Sequence, residues 1–164
     1  MNEIVVSDAS VLINFIRLER LDLMARLVGW RFIVPEEVLA EITDPDQRIV
    51  VEAALTAGGL GRDSVNTPTE NAAYAELRAV MGQGEAACLA MAQARGWLVA
   101  CDEKRRFLWE ATARLGSDRI VNTPGMLLKA IRDGIITVEK ADRLKDALAT
   151  HRFRVSFASF GDLL

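Results

Sequence analysis

The sequence predicts an α/β protein of three layers, α/β/α, with a central parallel sheet. Three observations predict it. Short apolar runs such as Ile4-Val5-Val6 and Leu98-Val99-Ala100-Cys101 have strand length. Between them lie helical segments of about 10–15 residues, the pattern of a parallel sheet covered on both faces. At 164 residues with no repeat, low-complexity tract or linker, the chain reads as one domain over 1–164.

In order, residues 3–7 read as a strand and residues 9–18 as a helix, with Val11, Leu12, Phe15 and Leu18 at helical spacing. A second helix, 21–28, stops at Gly29. Residues 31–34 form the next strand, and Pro35 at a first helical position opens a short helix carrying Val38, Leu39 and Ile42. Asp44-Pro45-Asp46 ends it, because the residue before a proline disfavours helical geometry. Residues 48–57 are helical, 58–61 a glycine loop and 62–68 ambiguous, with an edge strand as one reading. Helices follow at 70–81 and at 85–95, the latter apolar on nearly every face as a buried helix is. Strand 97–101, helix 104–115, strand 119–122 and helices 124–133 and 138–149 complete the chain.

Composition sets limits on function. A net charge of −3 excludes a protein held on nucleic acid by its overall field, so any such contact must be local. Cys88 and Cys101 lie in apolar segments without zinc-like spacing and read as reduced core thiols of an intracellular protein. The N-terminus runs straight into a strand-like pattern, and no apolar run reaches the ~18 residues of a membrane span. The expected location is the cytoplasm.

Four acids stand where apolar segments begin or end: Asp8, Glu41, Glu85 and Asp102. Open sheets of this class bind ligands outside the carboxyl ends of their strands, where Asp8 and Asp102 fall. Helices bearing Glu41 and Glu85 can border the same edge. Each acid has an ordinary explanation too. Asp8 and Asp102 can cap the helices that follow them, Glu85 suits a first turn, and Glu41 can simply face solvent. Capping does not explain why acids recur at one edge. A shared acidic pocket does, and such a pocket calls for a divalent cation. Ser10 and Thr123 lie beside it as supporting hydroxyls, with helix capping the alternative for each.

The segments Val6-Ser7-Asp8-Ala9-Ser10-Val11-Leu12-Ile13, Val34-Pro35-Glu36-Glu37-Val38-Leu39-Ala40-Glu41, Gly84-Glu85-Ala86-Ala87-Cys88-Leu89-Ala90 and Leu98-Val99-Ala100-Cys101-Asp102-Glu103 carry a family resemblance. In order and spacing they resemble the PIN-domain nucleases, with Val121-Asn122-Thr123-Pro124 matching the segment after the last core strand. The resemblance implies a PIN-like parallel sheet and a metal-binding, catalytic set of Asp8, Glu41, Glu85 and Asp102. It implies an endoribonuclease dependent on Mg²⁺ or Mn²⁺. Many bacterial relatives are toxins of VapBC-type toxin–antitoxin pairs, so an antitoxin protein is an expected partner, and relatives are often dimeric, so a homodimer is expected.

Oxygen-only ligands suit Mg²⁺ or Mn²⁺. RNA approaching a negative pocket needs flanking positive charge, and Lys104-Arg105-Arg106 lie just past Asp102. A solvated helix face is the alternative for those three. Arg152 and Arg154 are weaker candidates, and His151, far from the acids in sequence, reads as a surface residue. Phe153, Phe157 and Phe160 fit either a self-association or antitoxin surface or core packing.

Two other chemistries fail on particular residues. A haloacid-dehalogenase-type phosphatase needs a second Asp two positions after the first, where this chain has Ser10. Gly82-Gln83-Gly84-Glu85-Ala86-Ala87 fits a loose dinucleotide fingerprint but follows a helix and not a strand. The competing non-enzymatic reading is a PIN-like binding or regulatory module acting through a protein partner.

Overall fold

Strand β1 (Glu3–Ser7) lies at the middle of the sheet, and everything that positions the site follows from that placement. The structure, a computed structural model, describes residues 2–102 and 105–164. Among them, β1 is joined by β2 (Trp30–Pro35), β3 (Gly61–Asp63), β4 (Leu98–Ala100) and β5 (Ile120–Val121) in the order β3-β2-β1-β4-β5, all parallel. Val5 pairs with Phe32 on one side and Leu98 on the other, and Val6 with Ile33 and Val99. Val5, Val6, Phe32 and Val99 are fully buried, as apolar strands covered on both faces must be. Helices on the two sides complete the three-layer α/β/α arrangement.

The connection leaving β1 runs to β2 on one side, while β4 lies on the other. Chain segments therefore diverge above the carboxyl ends of β1 and β4, leaving a crevice there. Helix α1 (Ala9–Arg17) starts at that edge directly from β1, burying Val11, Leu12 and Phe15. Helix α6 (Gln83–Arg95) is sheathed by protein, with residues 86–92 all buried. Its many alanines let it lie close against the sheet, and Gly96 (φ +71°) ends it in the left-handed conformation that glycine tolerates. The remaining helices are α2 (Asp22–Arg26), α3 (Glu36–Leu39), α4 (Pro45–Thr56), α5 (Pro68–Leu77), α7 (Arg106–Leu115), α8 (Thr123–Arg132) and α9 (Val138–Thr150).

Two local expectations change and one open reading is resolved. Pro35 is not the first helical residue: it keeps extended geometry (φ −65°, ψ 148°), pairs in register with Asp63 and closes β2. Helix α3 is consequently one turn long, and Glu41 sits beyond it in a tightened turn, its amide bonded to the Val38 carbonyl at 3.0 Å. Asp44-Pro45 opens a helix as well as closing one. The Asp44 carboxylate accepts from the amides of Asp46 (2.9 Å) and Gln47 (3.1 Å), so α4 begins three residues earlier than apolar periodicity indicated. The ambiguous stretch after the glycine loop does contain the edge strand β3.

Candidate active site

Asp8 leaves the end of β1 with its amide donating to the Ala100 carbonyl at 2.9 Å, which extends the β1–β4 ladder by one residue. Its side chain is 3% exposed and makes no capping bond to α1. Instead Asp8 Oδ2 accepts from Ser10 Oγ (3.3 Å) and from Cys101 Sγ (3.4 Å). One acidic atom from Asp8, one from Glu85 in the first turn of α6 and Sγ of Cys101 lie within 4.8 Å of one another.

Glu41 enters the same region from the turn after α3. Its Oε1 accepts from the Gly84 amide at 2.5 Å. A Cβ on Gly84 would collide with Glu41 Oε1 and lie 3.1 Å from Asp8 Oδ1, so a larger residue would push the Glu41 carboxylate aside. Burial, then the charge of Asp8, push the Glu41 carboxyl above its ordinary pKa, against the opposing pull of the Gly84 amide and Arg78. Cys88, wholly buried beneath, is pushed far up by burial first and then by Asp8, Cys101, Glu41 and Glu37.

Asp102 follows β4 but turns toward α8. Asn14 Nδ2 donates to Asp102 Oδ2 (2.8 Å), the Thr123 amide to Oδ1 (2.7 Å), and Thr123 Oγ1 bonds to Oδ2 as well. Asn122 accepts from the Gly125 amide (2.9 Å) and so caps α8, which leaves Thr123 as its first residue with its hydroxyl turned to Asp102. Ser10 joins the two halves of the site, because Oγ also accepts from the Asp102 amide at 3.2 Å. The four predicted acids thus occupy one edge. Asp8, Glu41 and Glu85 converge around Gly84, while Asp102 is braced by Asn14 and Thr123 beside them.

Of the predicted RNA contacts, Arg105 and Arg106 are exposed at the start of α7, next to an exposed Trp109. Lys104 lies outside the described residues. Phe160 is buried, and Phe153 and Phe157, partly buried, pack against the core, so these rings take part in building the fold. Sequence reasoning missed Asn14, Gly84 and the thiol of Cys101. Asn14 had a readable signal. It is polar, on the apolar stripe of α1 and 5% exposed, and a buried amide needs partners.

The donor set fits a hard divalent cation. Buried Asp8 and half-buried Glu85 and Asp102 lie at one edge with Glu41, whose carboxyl is raised by burial first and then by the charge of Asp8. Cys101 Sγ lies 3.4 Å from Asp8 Oδ2, within reach of a hydrogen bond. A parallel sheet carrying clustered carboxylates at the carboxyl ends of its central strands defines a class of hydrolytic α/β domains. Residues 4–164 match the DUF3368 family, a PIN domain, and the chain belongs to that family. PIN domains are generally nucleases, hydrolases that act on nucleic acids and typically use divalent metals. No curated protein matches the chain. Among the described residues no helix is long and apolar enough to cross a membrane.

Proposed function

We propose that the protein is an Mg²⁺- or Mn²⁺-dependent endoribonuclease, a single PIN-like domain working in the cytoplasm. The observation that carries this reading is the convergence of Asp8, Glu41 and Glu85 around Gly84, with Asp102 braced alongside. Asp8 and Glu85 would hold the cation with Asp102 beside them, and Glu41 would orient the attacking water. A bound dication supplies charge to polarise the phosphoryl group and to make water a nucleophile at neutral pH. The residues do the rest. Gly84 fixes Glu41 by its amide. Ser10 and Thr123 support Asp8 and Asp102 by direct hydrogen bonds. Arg105 and Arg106, with Lys104 between them and Asp102 in sequence, supply positive charge for the RNA backbone.

The biological setting proposed is that of a toxin restrained by an antitoxin protein, with the enzyme a homodimer. Leu108 (47% exposed) and Trp109 (66%) on α7 leave apolar surface for such contacts. The test separates an enzyme from a binding module. Wild-type protein should degrade single-stranded RNA only with divalent metal, and Asp8→Asn and Asp102→Asn should abolish degradation at unchanged fold. Mn²⁺ should raise the melting temperature of the wild type and not of Asp8→Asn. A domain whose RNA degradation persists in EDTA, or which shows no Mn²⁺ response, is not this enzyme.

A further inference from the structure

Between α1 and the chain leaving α9 lies a cavity of about 300 Å³ that opens beside Asp102. Its walls include Ser10 and Asn14, both already bonded to the site acids, together with Arg17, His151 and Arg152. Among the described residues Arg17 and Arg152, both exposed, form no ion pair. Two guanidinium groups lining one concavity beside the acids make it complementary to an anion. A cavity this small, at the lower end of the roughly 300–1,000 Å³ of ligand pockets, suits one sugar–phosphate unit.

The turn that delivers Arg152 strengthens the point. The Arg152 amide bonds to the Ala149 carbonyl and the Phe153 amide to Leu148, both at 3.1 Å, closing α9 with the double bond of a Schellman turn. Arg152 occupies the left-handed position of that turn (φ +64°), where glycine is free of strain. The chain nonetheless places a long cationic side chain there. A second cavity, of about 530 Å³, shares Asp102 and Phe153 with the first and carries Arg154, so positive charge continues past the acids.

We infer that Arg17 and Arg152 form a phosphate subsite for the nucleotide next to the scissile bond, setting the register of single-stranded RNA across the acidic edge. This rests on the ribonuclease reading above. It assigns substrate positioning to α1 and the C-terminal turn, in addition to the start of α7. His151 lines the same cavity, despite its distance from the acids in sequence.

Binding of a fluorescein-labelled single-stranded oligouridylate, followed by anisotropy in EDTA, tests the subsite where hydrolysis plays no part. Arg17→Ala and Arg152→Ala should each weaken binding several-fold. Each should also flatten the plot of log affinity against log salt by about 0.7, the contribution of one phosphate contact to a single strand. Arg152→Gly separates binding from structure, since it should melt no lower than the wild type while losing the same affinity. Arg132→Ala, at the far end of α8 from the acidic edge, should bind as the wild type does. Wild-type affinity and salt slope in the Arg17 and Arg152 variants, or equal losses in Arg132→Ala, would overturn the subsite. The Mn²⁺ response and RNA degradation of the wild type report separately on the nuclease reading.

Discussion

Gly84 is the position where a single atom decides the geometry of the acidic edge. A Cβ would meet Glu41 Oε1 head-on and crowd Asp8 Oδ1, so Gly84→Ala must displace Glu41 or shift the first turn of α6. The atom met is the tip of an exposed, flexible side chain, so the cost in stability is small. The expected result is a modest fall in melting temperature with a much larger loss of metal-dependent RNA degradation, read by thermal denaturation and a cleavage assay on one preparation. A fall in stability with full activity would show that Glu41 is dispensable. The acids themselves were legible in the sequence, because a carboxylate at the end of an apolar run has few places to go. Their braces were less so. Thr123 reads as a cap until Asn122 is seen to take that role, and Cys101 reads as core until its S–H is seen to donate to Asp8.

At the scale of elements, Arg95 ties together β3, α5 and α6 at the side of the sheet. Its guanidinium donates to Asp63 Oδ2 (2.6 Å), to Glu70 Oε2 (2.8 Å) and to the Ser64 carbonyl (3.0 Å), and it stacks 4.7 Å from the Trp97 ring centre. Glu70 is 2% exposed, and its hydrogen bond to Arg95 outweighs the burial that opposes it, so its pKa is lowered. Arg95→Ala strands that carboxylate and should cost about 3 kcal/mol, the lower end for breaking a buried pair. The sign of the pH dependence follows. A lowered native pKa contributes stability that is fully present above the ordinary glutamate pKa and is lost as pH falls through the native value. The gap in melting temperature between wild type and Arg95→Ala should therefore narrow as pH falls below the ordinary glutamate value of 4.5. A gap independent of pH would exclude the ion pair as its source. This network also explains why β3 was hard to read. Three residues, Gly61, Arg62 and Asp63, have no strand signature of their own, and register with β2 and the ion pairs of Arg62 and Asp63 hold them in place.

The whole molecule is closed by its C-terminal segment, which covers the core and walls the cavities beside Asp102. Phe160 is buried, meets Phe157 edge-on at 4.9 Å between ring centres, and has its amide fixed by Asp142 Oδ1 at 2.9 Å. Phe160→Ala should cost about 3–5 kcal/mol, measured by chemical denaturation, with Phe160→Leu recovering much of it. An effect below 1 kcal/mol would mean the segment is only loosely docked. Parallel topology was legible because short apolar runs alternate with long helices. The position of β1 at the middle was not, since no periodicity says which strands become neighbours. That placement has a consequence for how the protein comes into being. Asp8 and its partner Cys101 are 93 positions apart. A nascent chain emerging from the ribosome thus carries Asp8 long before β4 and Cys101 have been synthesised, and the acidic edge assembles only once most of the chain is made.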